Sequence, residues 1–200
     1  MQMRSCSILL LVLAAAACGQ PATNPQPAPY RVHIRFEAAD SLAQAAAQYD
    51  SVWRSDGERM VAIMERRAGM AFVSDKYADT NIVANVREVA SNSGYRDSPM
   101  TMRASYGAET KAATLMHELG HRLMSGLFKR DEEEHNYLFL WLYDAWVEMY
   151  GQRFADAQVA IEKARGKRYV DAWDSALTGD AADRARRWRE IREERMPTRR

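Results

Sequence analysis

Apolar and polar residues alternate along a short segment near residue 30 and then change to helical spacing. Residues 31–36, Arg-Val-His-Ile-Arg-Phe, alternate throughout, which predicts a half-buried strand. Across 38–67 the apolar residues recur every three or four positions, which predicts helix, and Ser-Asp-Gly at 55–57 predicts a break into two helices. Residues 82–86 and 100–106 predict two further strands, joined by a loop rich in turn residues.

Helical spacing dominates the second half of the chain. Residues 109–127 predict a helix that ends at Ser125-Gly126, and residues 132–150 predict another that ends at Gly151. The wholly apolar run inside the second of these helices is too short to span a membrane. Strands followed by helices predict an α+β fold, with a predominantly helical C-terminal extension over 152–200 that packs on the domain.

The first residues have the pattern of an export segment rather than of a folded domain. Arg4 precedes a short apolar run, and a Pro-rich stretch follows it. The sequence Ala-Ala-Cys18-Gly resembles the lipobox of bacterial lipoproteins, which implies a lipidated Cys18 and an anchored protein, whereas plain cleavage after Ala17 is the alternative. We therefore predict a signal peptide over 1–17 and a tether over 18–29. The protein is expected in the cell envelope, lipid-anchored on the periplasmic side, or secreted if plainly cleaved.

Composition excludes several classes of protein. The 200 residues include 28 basic and 27 acidic side chains, and a net charge of +1 gives no general attraction to nucleic acid. Two cysteines are too few for a disulfide scaffold or a cysteine-type zinc finger, which leaves carboxylates, hydroxyls and four histidines for chemistry. His33 on the first strand is expected to be structural. The arginines of 184–195 are interleaved with glutamates, which predicts a solvated helix with internal ion pairs rather than a lipid-binding patch.

One five-residue motif has the residue types and spacing of a metal-binding catalytic site. His117-Glu118-Leu119-Gly120-His121 is H-E-x-x-H on the predicted helix. Two histidines at this spacing lie about 40° apart around a helix, so both rings point the same way and can bind one Zn²⁺. Glu118 lies beside the metal without binding it and can act as general base and then as general acid. The helix wheel separates the two histidines from the apolar core stripe, as expected for a helix that lines a cleft.

This motif resembles the signature of the zincin metallopeptidases. The resemblance covers about residues 70–150 and implies a zincin-like mixed sheet followed by the active-site helix, within a metallopeptidase domain over 30–151. It also implies that the strand before the helix, here 100–106, lies along the cleft and binds an extended peptide by strand addition. The residues after the motif depart from the metzincin pattern, since Met124 and Leu127 occupy the places of its Gly and His.

The third metal ligand has four candidates at the start of the next helix: Glu132, Glu133, Glu134 and His135. His135 shares its helix face with apolar residues that must pack inward, which favours it as the third ligand. Glu134 is the second candidate, because it begins a Glu-His-Asn triplet that is loosely similar to the Glu-Ala-Asn of some gluzincins. The glutamates are also favourable at a helix N-terminus on charge alone. Asp144 is expected either to support a liganding histidine or to be exposed.

The sequence thus predicts an exported zinc metallopeptidase of the H-E-x-x-H type. His117, His121 and His135 would hold Zn²⁺, and Glu118 would activate metal-bound water to hydrolyse a peptide bond of a peptide or protein substrate. The alternative is a non-catalytic envelope lipoprotein that uses a zincin-like fold to bind a protein, lipid or cell-wall partner. Glu118 discriminates between the two, since a structural zinc site closes its fourth position and has no use for a carboxylate there.

Overall fold

The computed structural model describes residues 32–72, 81–94, 98–129 and 132–196. The predicted signal peptide, the tether and Cys18 lie outside the described residues, so those predictions stay expectations. No helix within the described ranges is both long and apolar enough to cross a membrane.

Three strands form one sheet in the order β1, β2, β3 (His33–Glu37, Asn81–Arg87 and Met100–Arg103). Both neighbouring pairs are parallel, with Ile34 opposite Ile82 in the first pair. The predicted mixed sheet is therefore wrong for the described strands. The reason is connectivity, because a long helix joins β1 to β2 and such a crossover returns the chain to the same end of the sheet. A small sheet followed by helices agrees with the predicted α+β class.

The long helix α1, Ala43–Ala68, follows a short 3-10 turn and runs through the predicted break at 55–57. The prediction of two helices is wrong because Gly57 is buried inside the helix, between the buried side chains of Trp53 and Met60. A glycine within a helix costs about 1 kcal/mol, which the packing of its large neighbours outweighs. The helix ends where Gly69 adopts a left-handed φ of 61°.

Five helices follow β3 in the described part of the chain: α2 Ala108–Leu123, α3 His135–Tyr150, α4 Gln152–Lys163, α5 Lys167–Ala176 and α6 Ala181–Arg195. Helix α2 stops before the predicted end at 127, because the backbone continues in tight turns in which Leu127 N donates to Met124 O (3.0 Å). Helix α3 starts later than predicted, because residues 132–134 form the turn that leads into it. The helical character predicted for the C-terminal part is confirmed.

Helix α3 lies at the centre of the helical part, with α1, α2, α4, α5 and α6 packed around it. All its side chains from 138 to 146 are buried. Helix α2 approaches α3 most closely at Gly120, where a Cβ atom would lie 2.5 Å from Leu138 Cδ1 and 3.2 Å from Trp141. The glycine of the H-E-x-x-H motif therefore allows the two helices that carry the predicted metal ligands to pack together.

Helix α6 combines the predicted surface ion pairs with a buried one. Arg186 pairs with Asp183 (2.5 Å) and with Glu190 (3.0 Å) on the surface. Arg184 is buried, and it donates from Nε and Nη2 to the two carboxylate oxygens of Asp144, at 3.0 and 2.7 Å. Both expectations for Asp144 are therefore wrong, because α6 covers this part of α3 and supplies the arginine that pairs with it.

Candidate metal centre

Three histidine side chains from two helices meet at one point. Helix α2 carries His117 and His121, one turn apart, and α3 begins with His135. One ring nitrogen of each lies within 4.8 Å of the others, and the Nε2 atoms of His117 and His121 are 3.2 Å apart. His117 and His135 are buried and His121 is partly buried, whereas the remaining histidine, His33, is exposed on β1. The predicted trio is thus brought together at a spacing that can hold a metal ion.

Each of the three rings is held by a carboxylate at its other nitrogen. His117 Nδ1 lies 2.7 Å from Glu162 Oε1, and His121 Nδ1 lies 2.7 Å from Glu134 Oε2. The third ring makes the same contact with Glu133. A ring that donates from Nδ1 to a carboxylate keeps its lone pair on Nε2, which is the arrangement that supports metal-binding histidines in proteins.

Burial and charge set the ionisation of these groups. Burial, together with the charges of His117 and His121, lowers the pKa of His135 to about 2, so this ring is in the neutral form that binds metals. Burial also disfavours the charged form of His117, but Glu162 outweighs it and raises the pKa of that ring. Burial opposes the charge of Glu162 as well, yet His117 and the Trp173 hydrogen bond lower its pKa.

Both oxygens of Glu162 are occupied, since Oε1 contacts His117 and Oε2 accepts a hydrogen bond from Trp173 Nε1 at 2.9 Å. The sequence prediction missed Glu162 and Trp173, which come from α4 and α5 in the region predicted only as an extension. One signal was available: Glu162 falls at helical spacing with the buried Ala155 and Val159. A carboxylate on a buried stripe needs a partner, and here the partner is a candidate metal ligand.

Glu118 differs from Glu162 in having no partner. It is 4% exposed, and no hydrogen bond or ion pair joins its carboxylate to another described residue. Burial raises the pKa of Glu118 above its ordinary value, although His117 and His121 act in the opposite direction. A glutamate is seldom this buried unless it is paired, so its place beside two of the candidate ligands points to a functional role. A raised pKa is the property of a carboxylate that accepts a proton and later returns it.

The glutamates that precede α3 support the histidines rather than compete with them. Glu134, the second candidate for the third ligand, contacts His121 and so lies behind the ring. Glu133 lies behind His135, and Glu132 pairs with Arg195 of α6 at 2.6 Å. Among the described residues, the side chains close enough to share a metal ion are the three histidines.

The outer edge of β3 is covered by the chain itself. Asn92 and Thr101 exchange two backbone hydrogen bonds of 2.9 Å, and Arg103 N donates to Ser91 Oγ at 3.0 Å. The H-E-x-x-H helix holds this covering segment through Arg122 Nε, which donates to a loop carbonyl at 2.7 Å. A substrate strand could pair with Thr101 only by displacing this segment, and the predicted strand addition stays a prediction.

Comparison of the chain with protein-family models, with curated proteins and with solved structures finds no match. The likeness to zincins therefore stays a prediction drawn from the motif. The donor set itself is informative about the metal. Three imidazole nitrogens that face one point, each with a carboxylate behind its ring, fit a divalent metal such as Zn²⁺ with one coordination position left open.

Proposed function

We propose that this chain is an exported, zinc-dependent hydrolase of the H-E-x-x-H type that cleaves peptide bonds in the cell envelope. The observation that carries the proposal is a contrast inside one site. Glu162, Glu134 and Glu133 are each committed to a histidine ring, whereas Glu118 is buried beside the same rings with no partner in the described part of the chain. A metal site with a purely structural role has no need of that additional carboxylate.

The side chains of the site have two roles, metal binding and proton transfer. The three histidines would hold Zn²⁺, which supplies a Lewis acid for the scissile carbonyl and for water. Glu118 accepts a proton from the attacking water and passes it to the departing amine. Its raised pKa favours the first transfer, because burial stabilises the protonated carboxyl group relative to the charged one. The carboxylates behind the rings keep the imidazoles in one orientation and one tautomer.

A second candidate is a non-catalytic envelope lipoprotein that binds a protein, lipid or cell-wall partner. One observation favours it: the Asn92 bridge occupies part of the edge of β3 to which, on the zincin resemblance, a peptide strand would add. In this alternative the three histidines would still bind the metal, and binding of the partner would not require Glu118.

The experiment compares two glutamates of the same helix. The purified, zinc-loaded protein is incubated with a mixed-sequence library of internally quenched peptides, as the wild type, as Glu118→Gln and as Glu109→Gln. Glu109 is exposed in the first turn of α2, so its replacement controls for the loss of a charge. We expect Glu118→Gln to keep its zinc and to lose about 10²–10⁴-fold in rate, with Glu109→Gln unchanged. Equal rates in Glu118→Gln and wild type, or no hydrolysis by the zinc-loaded wild type, would exclude the hydrolase.

A further inference from the structure

An arginine lies between two aromatic rings beside the histidines. Arg165 follows α4, and its Cζ atom lies 5.6 Å from the ring centroid of Tyr106 and 5.5 Å from that of Tyr169. Tyr106 belongs to the connection between β3 and α2, where Lys111 Nζ donates to its backbone carbonyl. Tyr169 belongs to α5, and its ring lies 4.7 Å from that of His135. The guanidinium is thus fixed by stacking at a place one ring away from the candidate metal ligands.

Among the described residues, Glu162 is the one carboxylate that forms an ion pair with Arg165, and this pair is long. The Nη1 atom of Arg165 lies 3.6 Å from Glu162 Oε1, which is beyond hydrogen-bond distance, and both oxygens of Glu162 already serve His117 and Trp173. The guanidinium has five N–H donors, and its other close neighbour is the Tyr169 ring described above. The Arg165 side chain is 21% exposed, so a molecule in the site can reach the remaining donors.

A second arginine flanks the same tyrosine. Arg168 Cζ lies 5.3 Å from the Tyr169 ring centroid, and its side chain is 61% exposed. Its ion pair with Glu133 spans 3.4 Å at the surface, where water screens such pairs strongly. Two guanidinium groups with a tyrosine between them therefore border the histidine centre on the side formed by the α4–α5 turn.

We propose that Arg165, assisted by Arg168, binds a carboxylate of the substrate and so orients the peptide toward the three histidines. This inference rests on the proposed hydrolase function and deepens it by naming a substrate class, peptides with a carboxylate close to the scissile bond. A planar guanidinium pairs with a carboxylate through two parallel hydrogen bonds, which fixes direction as well as position. Side chains can supply this orientation where the outer edge of β3 is already paired with Asn92 and Ser91. The carboxylate is either the C-terminus of a peptide or an acidic side chain.

The test measures binding, so it does not depend on turnover. Zinc-loaded protein carrying Glu118→Gln is titrated with dansyl-labelled, mixed-sequence pentapeptides in three matched forms: free C-terminal acid, C-terminal amide, and amide with one internal Glu. The same titrations are made after adding Arg165→Gln, Arg168→Gln or Arg189→Gln, each first shown to keep its zinc. Arg189 is exposed on α6 and serves as the matched control.

We expect at least one carboxylate form to bind about tenfold tighter than the plain amide. That preference should fall to within about twofold in Arg165→Gln, fall partly in Arg168→Gln, and persist in Arg189→Gln. Preference for the free acid identifies a C-terminal carboxylate, and preference for the internal Glu identifies a side chain. Equal binding of all three forms, or a preference that survives both Arg165→Gln and Arg168→Gln, would overturn the proposal. If the protein prefers carboxylate peptides but hydrolyses no peptide, the proposed hydrolase function is excluded and the carboxylate-binding role of Arg165 still stands.

Discussion

Two buried polar clusters of this molecule differ in whether they are complete. In the first, both oxygens of Asp144 accept hydrogen bonds from Arg184, at 2.7 and 3.0 Å, and charge and hydrogen bonds are balanced within the pair. In the second, the histidine centre, every Nδ1 has a carboxylate, but Nε2 atoms face each other, with 3.2 Å between those of His117 and His121.

The difference distinguishes a closed ion pair from a cluster whose three histidines lie close enough to hold a metal ion. When both rings are neutral and donate from Nδ1, the two facing Nε2 lone pairs repel each other, and a proton or a cation between them removes that repulsion. Such an arrangement is stable when a cation lies between them, and a closed ion pair needs no such addition. Glu118, which makes no hydrogen bond or ion pair with another described residue, lies beside the same rings. Three predictions test or sharpen this contrast.

The largest expected effect is on the closed cluster. Arg184→Met alone leaves Asp144 buried without its partner, and we expect the free energy of unfolding to fall by about 3–5 kcal/mol. Replacing both residues, Arg184→Met with Asp144→Leu, should restore most of that loss, since apolar side chains of similar volume substitute well for a buried ion pair. Urea unfolding measures both, and zinc content should not change. Loss of zinc in the single variant would show that the two clusters are coupled.

The local elements around the site could be predicted from the sequence because their signals are local. The alternation that predicted β1 and the H-E-x-x-H spacing on α2 depend on neighbours along the chain, as does the apolar face that favoured His135. The structure brings His135 to the other two histidines as that face indicated. The prediction of a helix break at 55–57 was wrong because it used local signals alone. The cost of Gly57 in a helix is outweighed by packing against residues from other elements.

The support of the site could not be predicted, because it joins distant segments. Glu162 reaches His117 from another helix, and Arg184 reaches Asp144 across 40 positions of sequence. The covered edge of β3 depends on a single bridge between Asn92 and Thr101, which no periodicity reveals. Spacing along one helix identifies which side chains share a face, but it does not identify what another element places opposite them.

The next prediction concerns the carboxylate behind His117. Glu162→Gln keeps an acceptor near the ring but removes the charge, and we expect zinc affinity to fall by about 10–100-fold. Trp173→Phe, which removes the hydrogen bond to Glu162 Oε2 together with part of a buried ring, should have a smaller effect on zinc affinity in the same direction. Competition with a zinc-sensitive dye measures both, and Glu190→Gln on the surface of α6 is the control. Unchanged affinity in Glu162→Gln would mean that this carboxylate has only a structural role.

The smallest effect is expected at the helix crossing. Gly120→Ala places a Cβ atom against Leu138 and Trp141, and we expect a net loss of about 1–2 kcal/mol in the free energy of unfolding after the gain in helix propensity. Gly107→Ala is the matched control, since a Cβ atom there meets nothing within 4 Å. Equal stability of the two variants would show that α2 and α3 can separate slightly without loss.

The central claim, that three histidines form a metal site, is tested most directly by the metal content of the purified protein. Elemental analysis is made on the wild type, on His135→Ala and on His33→Ala, whose histidine is exposed on β1. We predict about one zinc per chain in the wild type and in His33→Ala, and its loss in His135→Ala. Zinc retained at the same level in His135→Ala, or absent from the wild type after zinc is added back, would contradict the claim.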